Sequence, residues 1–163
     1  MELEELYKEI QPRIYAFFYV KTSSKEIAED LTQEVFYEAI KSLPSFSHKS
    51  SIQTWLFSIA NNRLKKHYRS KKYQGQLNEM ILNDERNTVT PEQELLKNEE
   101  KQGLINQINE LDEVSKEVVT LRVYGELSFK EIGSLLGKSE NYARITFHRA
   151  KLKLHKEMEG YHG

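Results

Sequence analysis

The sequence predicts an all-α protein made of two small helical domains joined by a flexible linker. Apolar side chains recur at three- and four-residue steps over most of the chain, which is the spacing of one helix face. Only seven Gly and three Pro occur among 163 residues, which argues against a turn-rich β fold. The periodicity is lost between residues 73 and 91. We therefore assign one domain to residues 1–73, a linker to 74–91 and a second domain to 92–163.

The first domain begins with two amphipathic helices. Residues 2–22 carry the first apolar stripe, and Pro12 should kink or restart this helix because proline has no amide hydrogen to donate. Ser23 or Ser24 is placed to cap the second helix. Pro44 should end it, because the residue before a proline is disfavoured in the helical conformation.

The third helix should begin at Ser50 or Ser51, after a short polar loop. Its sequence TWLFSIANNRLKKHYRSKK, residues 54–72, changes character halfway. The first half supplies an apolar stripe, in which a core position is the simpler interpretation of Trp55. The second half is cationic and contains no acid; its basic residues are Arg63, Lys65, Lys66, Arg69, Lys71 and Lys72. Basic side chains interleaved with aromatic rings are typical of surfaces that bind single-stranded nucleic acid.

The second domain begins with a helix over residues 92–110. Leu111 closes this helix, and Asp112 can cap the next one. That next helix should end at Gly125, a natural C-terminal stop. The linker segment MIL, residues 80–82, could dock on either domain.

The segment ELSFKEIGSLLGKSENYARITFHRAKLKL, residues 126–154, follows the pattern of a helix-turn-helix. Ser128 and Glu131 form a capping box, Gly137 permits a left-handed turn and Ser139 can cap the second helix. A helix of this kind fits the major groove of duplex DNA. Candidates for contacts with base edges are Asn141, Tyr142, Arg144 and Thr146. Candidates for contacts with phosphates are Arg149, Lys151 and Lys153.

Charge is distributed in blocks that the net charge of −1 conceals. Residues 39–78 contain eight Lys or Arg and no acid, and residues 138–156 contain six bases and one acid. Residues 79–117, between them, contain eleven acids and four bases. Two basic blocks that each follow an apolar stripe indicate two contact surfaces for a polyanion.

Other functional classes lack their signatures. With no cysteine, disulfides and Cys-based zinc sites are excluded, and the five His show no metal-ligand spacing. We find no phosphate-binding loop and no catalytic motif, so we expect no enzyme, no catalytic residue, no metal and no cofactor. The acidic N-terminus has no signal-peptide core, and no apolar run is long enough to span a membrane, which favours a cytoplasmic protein.

Three segments in order resemble the extracytoplasmic function (ECF) group of bacterial sigma factors. AEDLTQEVFYEAIKSLPSF, residues 28–46, resembles the region that grips the clamp helices of the RNA polymerase β′ subunit. TWLFSIANNRLKKHYR, residues 54–69, resembles the region that opens and reads the −10 element. LSFKEIGSLLGKSENYARITFHRAKLKL, residues 127–154, resembles the helix-turn-helix that reads the −35 element. The resemblance covers nearly the whole chain.

The resemblance implies residue roles by position. The polymerase-binding surface would contain Asp30, Gln33, Glu34 and Phe36. A pocket for one flipped base of the non-template strand would be lined by Phe46, Ile59 and Asn62. The loop SHKSS, residues 47–51, would help to hold that base through Ser47, His48, Lys49 and Ser50. Phosphates around the opening duplex would be followed by Arg63, Lys65, Lys66 and Arg69.

The implied partners are RNA polymerase core (β′ clamp helices and β flap), promoter DNA and an anti-sigma factor, with activity under stress or envelope control. The chain departs from the family in having Leu111-Asp112 for Leu-Pro, and YARIT at 142–146 for Thr-Val-Lys-Ser-Arg. Base preference at the −35 element therefore cannot be transferred. On the residues alone, a stand-alone helix-turn-helix regulator of duplex DNA and a helical protein-interaction adaptor stay open.

Overall fold

The computed structural model describes residues 3–81 and 99–162, with side chains described within 4–72 and 102–156. All regular secondary structure in these ranges is helical, as the sequence predicts. The helices are α1 (Leu3–Thr22), α2 (Lys25–Ser42), α3 (Ile52–Ile81), α4 (Glu99–Asn109), α5 (Glu113–Val119), α6 (Phe129–Leu136) and α7 (Glu140–His162). A 3-10 turn (Leu43–Ser45) follows α2, and a π-helical turn (Thr120–Tyr124) follows α5. We call α1–α3 the first module and α4–α7 the second module.

Helix α1 runs without a break through Pro12, so the predicted restart is wrong. Pro12 lies on the exposed face of the helix, while Ile10 and Ile14 on either side of it are fully buried. Packing of these two side chains holds the helix together across the one backbone hydrogen bond that proline cannot make.

The sequence offers two serines as the cap of α2 and two as the cap of α3, and the structure shows which one acts in each case. Ser24 caps α2, since its hydroxyl accepts a hydrogen bond from the amide of Ile27 at 3.2 Å. Ser51 caps α3 in the same way, through the amide of Thr54 at 3.1 Å. Helix α2 ends at Ser42, just before Pro44, as expected.

Helix α3 is longer than the sequence predicts. It continues through Gly75 to Ile81, so the first part of the predicted linker is helical. The rest of the linker, and the predicted start of the second domain at residues 92–98, lie outside the described residues. The side chains of the MIL segment also lie outside them.

Asp112 and Gly125, which flank α5 and the π-helical turn, do not play the roles that the sequence predicts. Asp112 occupies the capping position of α5, but its side chain makes no cap hydrogen bond. The chain does turn at Gly125, yet Gly125 itself is right-handed and Glu126 takes the positive φ of 56°. A Cβ on Gly125 would lie 2.7 Å from the carbonyl oxygen of Leu121 and 3.1 Å from the ring of Phe57. Gly125 is therefore needed for close packing rather than for a left-handed turn.

The two modules share one apolar core. Its fully buried residues include Phe17, Phe18 and Phe57 from the first module and Leu121 and Ile132 from the second. A smaller cluster, formed by Ile108, Leu111, Val119, Ala150 and Leu154, lies within the second module. The described residues thus pack as two helical modules in direct contact.

Candidate nucleic-acid interface

An acidic face lies on the exposed side of α2. Asp30, Gln33 and Glu34 are exposed and line a shallow pocket of about 580 Å³ together with Tyr37 and Arg63. The Nε atom of Arg63 lies 2.9 Å from Glu38 Oε2, and its Nη1 atom lies 3.9 Å from Glu34 Oε2. The structure therefore brings together three of the four residues predicted to bind polymerase. Tyr37, which the sequence analysis did not name, lines the same pocket.

Phe36 lies on another face of α2. Its ring packs edge-on against Tyr7, with centroids 4.8 Å apart, and it is partly buried. It lines an apolar pocket of about 330 Å³ formed by α1, α2 and the start of α3. At 100° per residue, position 36 falls about 120° from position 30, which is why the two side chains do not share a surface.

The loop between α2 and α3 presents aromatic rings beside polar side chains. Phe46 stacks on Trp55 with centroids 4.9 Å apart, and the imidazole of His48 lies 4.4 Å from the Phe46 ring. Ser47, His48 and Lys49 are exposed in this loop, and Ser50, which follows them, is half-buried. Trp55 packs partly against the core, in line with the simpler interpretation of that residue, but it also supports Phe46 at the loop.

The second half of α3 is a cationic surface. Its exposed side chains are Asn62, Lys65, Lys66, Tyr68, Arg69, Ser70, Lys71 and Lys72. Burial, and after it the charge of Lys71, lowers the pKa of His67, which disfavours the charged form of this imidazole. Arg63 is held against α2 by its two carboxylate partners instead of joining this surface.

Ile59 is 8% exposed and belongs to the core, so it offers little surface to a flipped base. Phe46 and Asn62 are more accessible than Ile59. The three-residue base pocket stays a prediction.

Helices α6 and α7 form the predicted helix-turn-helix. Ser128 Oγ accepts a hydrogen bond from the Glu131 amide and Glu131 Oε1 accepts one from the Ser128 amide, each at 3.0 Å, so the capping box is complete. Gly137 has φ of 70° and makes the left-handed turn. Ser139 caps α7 through the Tyr142 amide at 3.0 Å. These local predictions are confirmed.

The packing of α6 against the turn depends on a glycine that the sequence reasoning did not single out. A Cβ on Gly133 would lie 2.7 Å from the carbonyl oxygen of Lys138 and 2.9 Å from the backbone of Ser139. Only a residue without a side chain lets the turn come this close to α6.

Helix α7 has a mostly polar outer face, on which Leu152 is 72% exposed, while Ala143, Ala150 and Leu154 are buried. The exposed members of the predicted set are Asn141, Tyr142, Arg144, Arg149, Lys151 and Lys153, and Thr146 is half-buried. Arg144 Nη2 lies 3.2 Å from Glu140 Oε1, and its guanidinium lies 5.4 Å from the Phe129 ring. Ile145, which the sequence reasoning left out, is 42% exposed on this outer face. Its position between polar residues of the predicted outer face could have indicated from the sequence that Ile145 is exposed.

Two family models match the chain, one in each module. "Sigma-70 region 2" matches residues 6–73, and "Sigma-70, region 4" matches residues 101–154. The RNA polymerase sigma factor YlaC of Bacillus subtilis is 34% identical over 159 residues, which cover 96% of this chain and 91% of YlaC. The chain is a sigma factor of the ECF group.

Further relatives and solved structures agree with this membership. The ECF sigma factor SigM of Bacillus subtilis is 28% identical, covering 94% of this chain and 93% of SigM. The fold matches the sigma factor RpoE, solved in complex with the anti-sigma factor NepR from Bartonella quintana, with a TM-score of 0.72, 21% identity and 96% of both chains covered. It also matches CnrH, solved with the cytosolic domain of CnrY, with a TM-score of 0.69, 20% identity, and 96% and 87% of the chains covered.

This membership decides between the functions left open by the residues. This sigma factor directs RNA polymerase to promoters, and a stand-alone regulator would leave the region 2 match over residues 6–73 without a role. Sigma factors are non-catalytic initiation factors. Within the described residues, no helix is both long and apolar enough to cross a lipid bilayer.

Proposed function

We propose that this sigma factor contacts polymerase through the acidic face of α2 and contacts two promoter elements through α3 and α7. The supporting observation is the separation of charge in the first module. Asp30, Gln33 and Glu34 are exposed on α2, whereas the exposed cations Lys65 and Lys66 lie on α3. Acids would repel phosphates, so these surfaces suit different partners.

At the −10 element, the loop of residues 47–51 and the start of α3 receive the separated non-template strand. Phe46, supported by Trp55, and Asn62 supply a ring and an amide for one unstacked base. Unstacking a base costs a few kcal/mol, so these contacts offset that cost. Lys65, Lys66 and Arg69 then follow the phosphates.

At the −35 element, α7 enters the major groove with Tyr142 and Arg149 on its exposed side. Ile145 lies among these polar side chains and is suited to contact the methyl group of a thymine. Lys151 and Lys153 lie further along the helix and contact phosphates, which fix the position of the helix without reading sequence.

The chain acts in the cytoplasm and is held inactive by an anti-sigma factor, under stress or envelope control. Support comes from two solved proteins of similar fold: RpoE is bound to the anti-sigma factor NepR, and CnrH is bound to the cytosolic domain of CnrY. The exposed face of α2 and the neighbouring apolar pocket are the surfaces that such a partner would compete for.

Run-off transcription tests the function directly. The full-length chain is added to sigma-free core polymerase on templates that carry candidate promoters, and the transcripts are sized. We expect promoter-specific initiation that depends on the added chain. As a matched pair, Asp30→Lys should prevent activation, whereas Lys25→Glu, an exposed change at the start of the same helix, should leave it intact. Failure of the wild-type chain to associate with core polymerase would refute the proposal.

A further inference from the structure

Two arginine side chains of the second module lie over one aromatic ring. The Cζ atom of Arg122, in the π-helical turn, is 4.2 Å from the centroid of the Phe129 ring, and the Cζ atom of Arg144, in α7, is 5.4 Å from it. Both arginines are exposed, whereas Phe129 is partly buried. The face of an aromatic ring is negative and attracts a cation within about 6 Å, so both contacts are attractive.

The capping box sets the position of this ring. Phe129 is the first residue of α6 and directly follows the cap Ser128, so fixing the start of the helix also fixes where the Phe129 side chain leaves the backbone. Burial acts to raise the pKa of the Glu131 carboxyl, but hydrogen bonds from Ser51, Ser128 and Thr54 outweigh it and lower the pKa below its ordinary value. The capping carboxylate is therefore ionised at neutral pH, and ionised acceptors form the stronger hydrogen bonds.

Phe129 does more than fill the core. Leu127 and Ile132, on either side of it in the sequence, are 1% and 0% exposed, whereas Phe129 packs against the core only in part. Its ring contacts the Phe147 ring of α7 with centroids 5.5 Å apart. Arg122 Nη1 donates a hydrogen bond to the carbonyl oxygen of Leu127 at 3.0 Å, which fixes its guanidinium beside the ring. The π-helical turn, α6 and α7 therefore all meet at Phe129.

Arg144 has two contacts of different kinds. One is the ion pair with Glu140, one turn earlier in α7, in which the two side chains are 45% and 51% exposed. Exposed pairs of this kind hold a side chain only weakly, and the carboxylate offsets the charge that attracts DNA phosphates. The contact with the Phe129 ring leaves the charge of Arg144 intact and occupies none of its N–H groups. The donors of the guanidinium therefore stay available for a base edge.

We propose that Phe129 is a positioning residue for promoter recognition, whose ring holds the Arg144 guanidinium in place for bidentate contact with a guanine of the −35 element. This inference rests on the proposed function. Arginine bound to O6 and N7 of guanine is the commonest specific contact in the major groove. An arginine side chain loses much rotamer freedom when it is ordered, and the ring removes part of that loss from the binding step. Phe129 acts through Arg144 and makes no DNA contact of its own.

The test compares Phe129→Leu with Phe147→Leu in the full-length chain. Each change removes one ring of the same aromatic pair and keeps an apolar side chain. Within the described residues, no Lys or Arg lies over the Phe147 ring, so Phe147→Leu controls for loss of packing alone. Run-off transcription with core polymerase is measured on promoters that carry every single base change in the −35 element, which gives the base preference at each position.

We expect Phe129→Leu to reduce the preference for guanine at one position about two- to fivefold, the effect of one exposed cation–π contact. Preference at the other positions should not change, and Phe129→Tyr should keep the wild-type pattern. Phe147→Leu should lower Tm but leave the base preference intact. Arg144→Gln should lose the same guanine preference, and adding Phe129→Leu to it should cause no further loss there. An equal loss at every position with Phe129→Leu, or the same altered preference with Phe147→Leu, would overturn the positioning role.

A spectroscopic measurement on the free chain keeps the outcomes separate. In the wild type, the ring current of Phe129 should shift the Nε–H proton signal of Arg144 relative to that of Arg149, and Arg144→Lys identifies the signal by removing it. This measurement needs no variant of Phe129 to fold, and the absence of the shift would refute the proposed contact. If no version of the chain activates polymerase, the proposed function fails, whereas the spectrum still decides whether the ring holds Arg144.

Discussion

Replacement of Gly133 by Ala should disrupt the helix-turn-helix without altering any residue that faces DNA. The new Cβ would lie 2.7 Å from the Lys138 carbonyl oxygen and 2.9 Å from Ser139, so the turn must move by several tenths of an ångström. Overpacking of this kind costs about 2 kcal/mol. For a protein of this length, the expected fall in Tm is about 4 to 8 °C. The shift of α7 should also reduce transcription from promoters that need the −35 element.

Gly103→Ala is the matched control. Gly103 lies inside α4, and no neighbouring atom lies within 4 Å of the point where an alanine Cβ would sit, so the change should raise stability by about 0.5 to 1 kcal/mol. Thermal unfolding followed by circular dichroism measures both variants, and run-off transcription measures their activity. Equal Tm values for the two variants would refute the argument from close packing.

Reversal of Arg144 and Arg149 to Glu should abolish initiation at promoters that need the −35 element, as measured by run-off transcription, and unchanged activity would favour an adaptor. Ile145→Ala should weaken −35 binding about as much as replacing the contacted thymine by uracil, and the two losses should not add, because each removes the same methyl contact. The Glu131 pKa is lowered in the folded chain, so its stabilisation is complete above the unfolded pKa and is lost as pH falls through the folded pKa. Urea unfolding should therefore show the advantage of wild type over Glu131→Gln shrinking below about pH 4.5, and a constant difference would contradict the assignment.

The local features of this chain could be predicted because their causes lie within a few residues. The capping box of Ser128 and Glu131 and the left-handed Gly137 each depend on side chains or backbone angles inside one turn. The resemblance to the family, rather than local geometry, supplied Asp30, Gln33, Glu34 and Phe36 as a polymerase-binding set. The structure separates Phe36 from the other three, because its ring packs against Tyr7 of α1, a contact between helices that the sequence does not show.

Contacts between segments that are distant in the chain could not be predicted from the sequence. Lys21 and Glu117 are 96 positions apart, and no periodicity connects them. Arg63 belongs to a run of bases that suggests a single cationic surface, yet Glu38 on a different helix takes its guanidinium. The helix does stop near Gly125, as predicted, but the reason for a glycine there is different. A side chain at this position would collide with the ring of Phe57 in the other module.

The two oxygens of Glu131 have separate partners: Oε1 binds the start of its own helix, and Oε2 binds Ser51 across the modules. The capping box lies within α6 and its N-terminus, so it immobilises the Glu131 side chain independently of Ser51. Freezing a free glutamate costs about 1.5 to 2 kcal/mol of rotamer entropy, and the capping box has already incurred that loss. The hydrogen bond to Ser51 therefore forms with a carboxylate that is already aimed, at little further entropic cost.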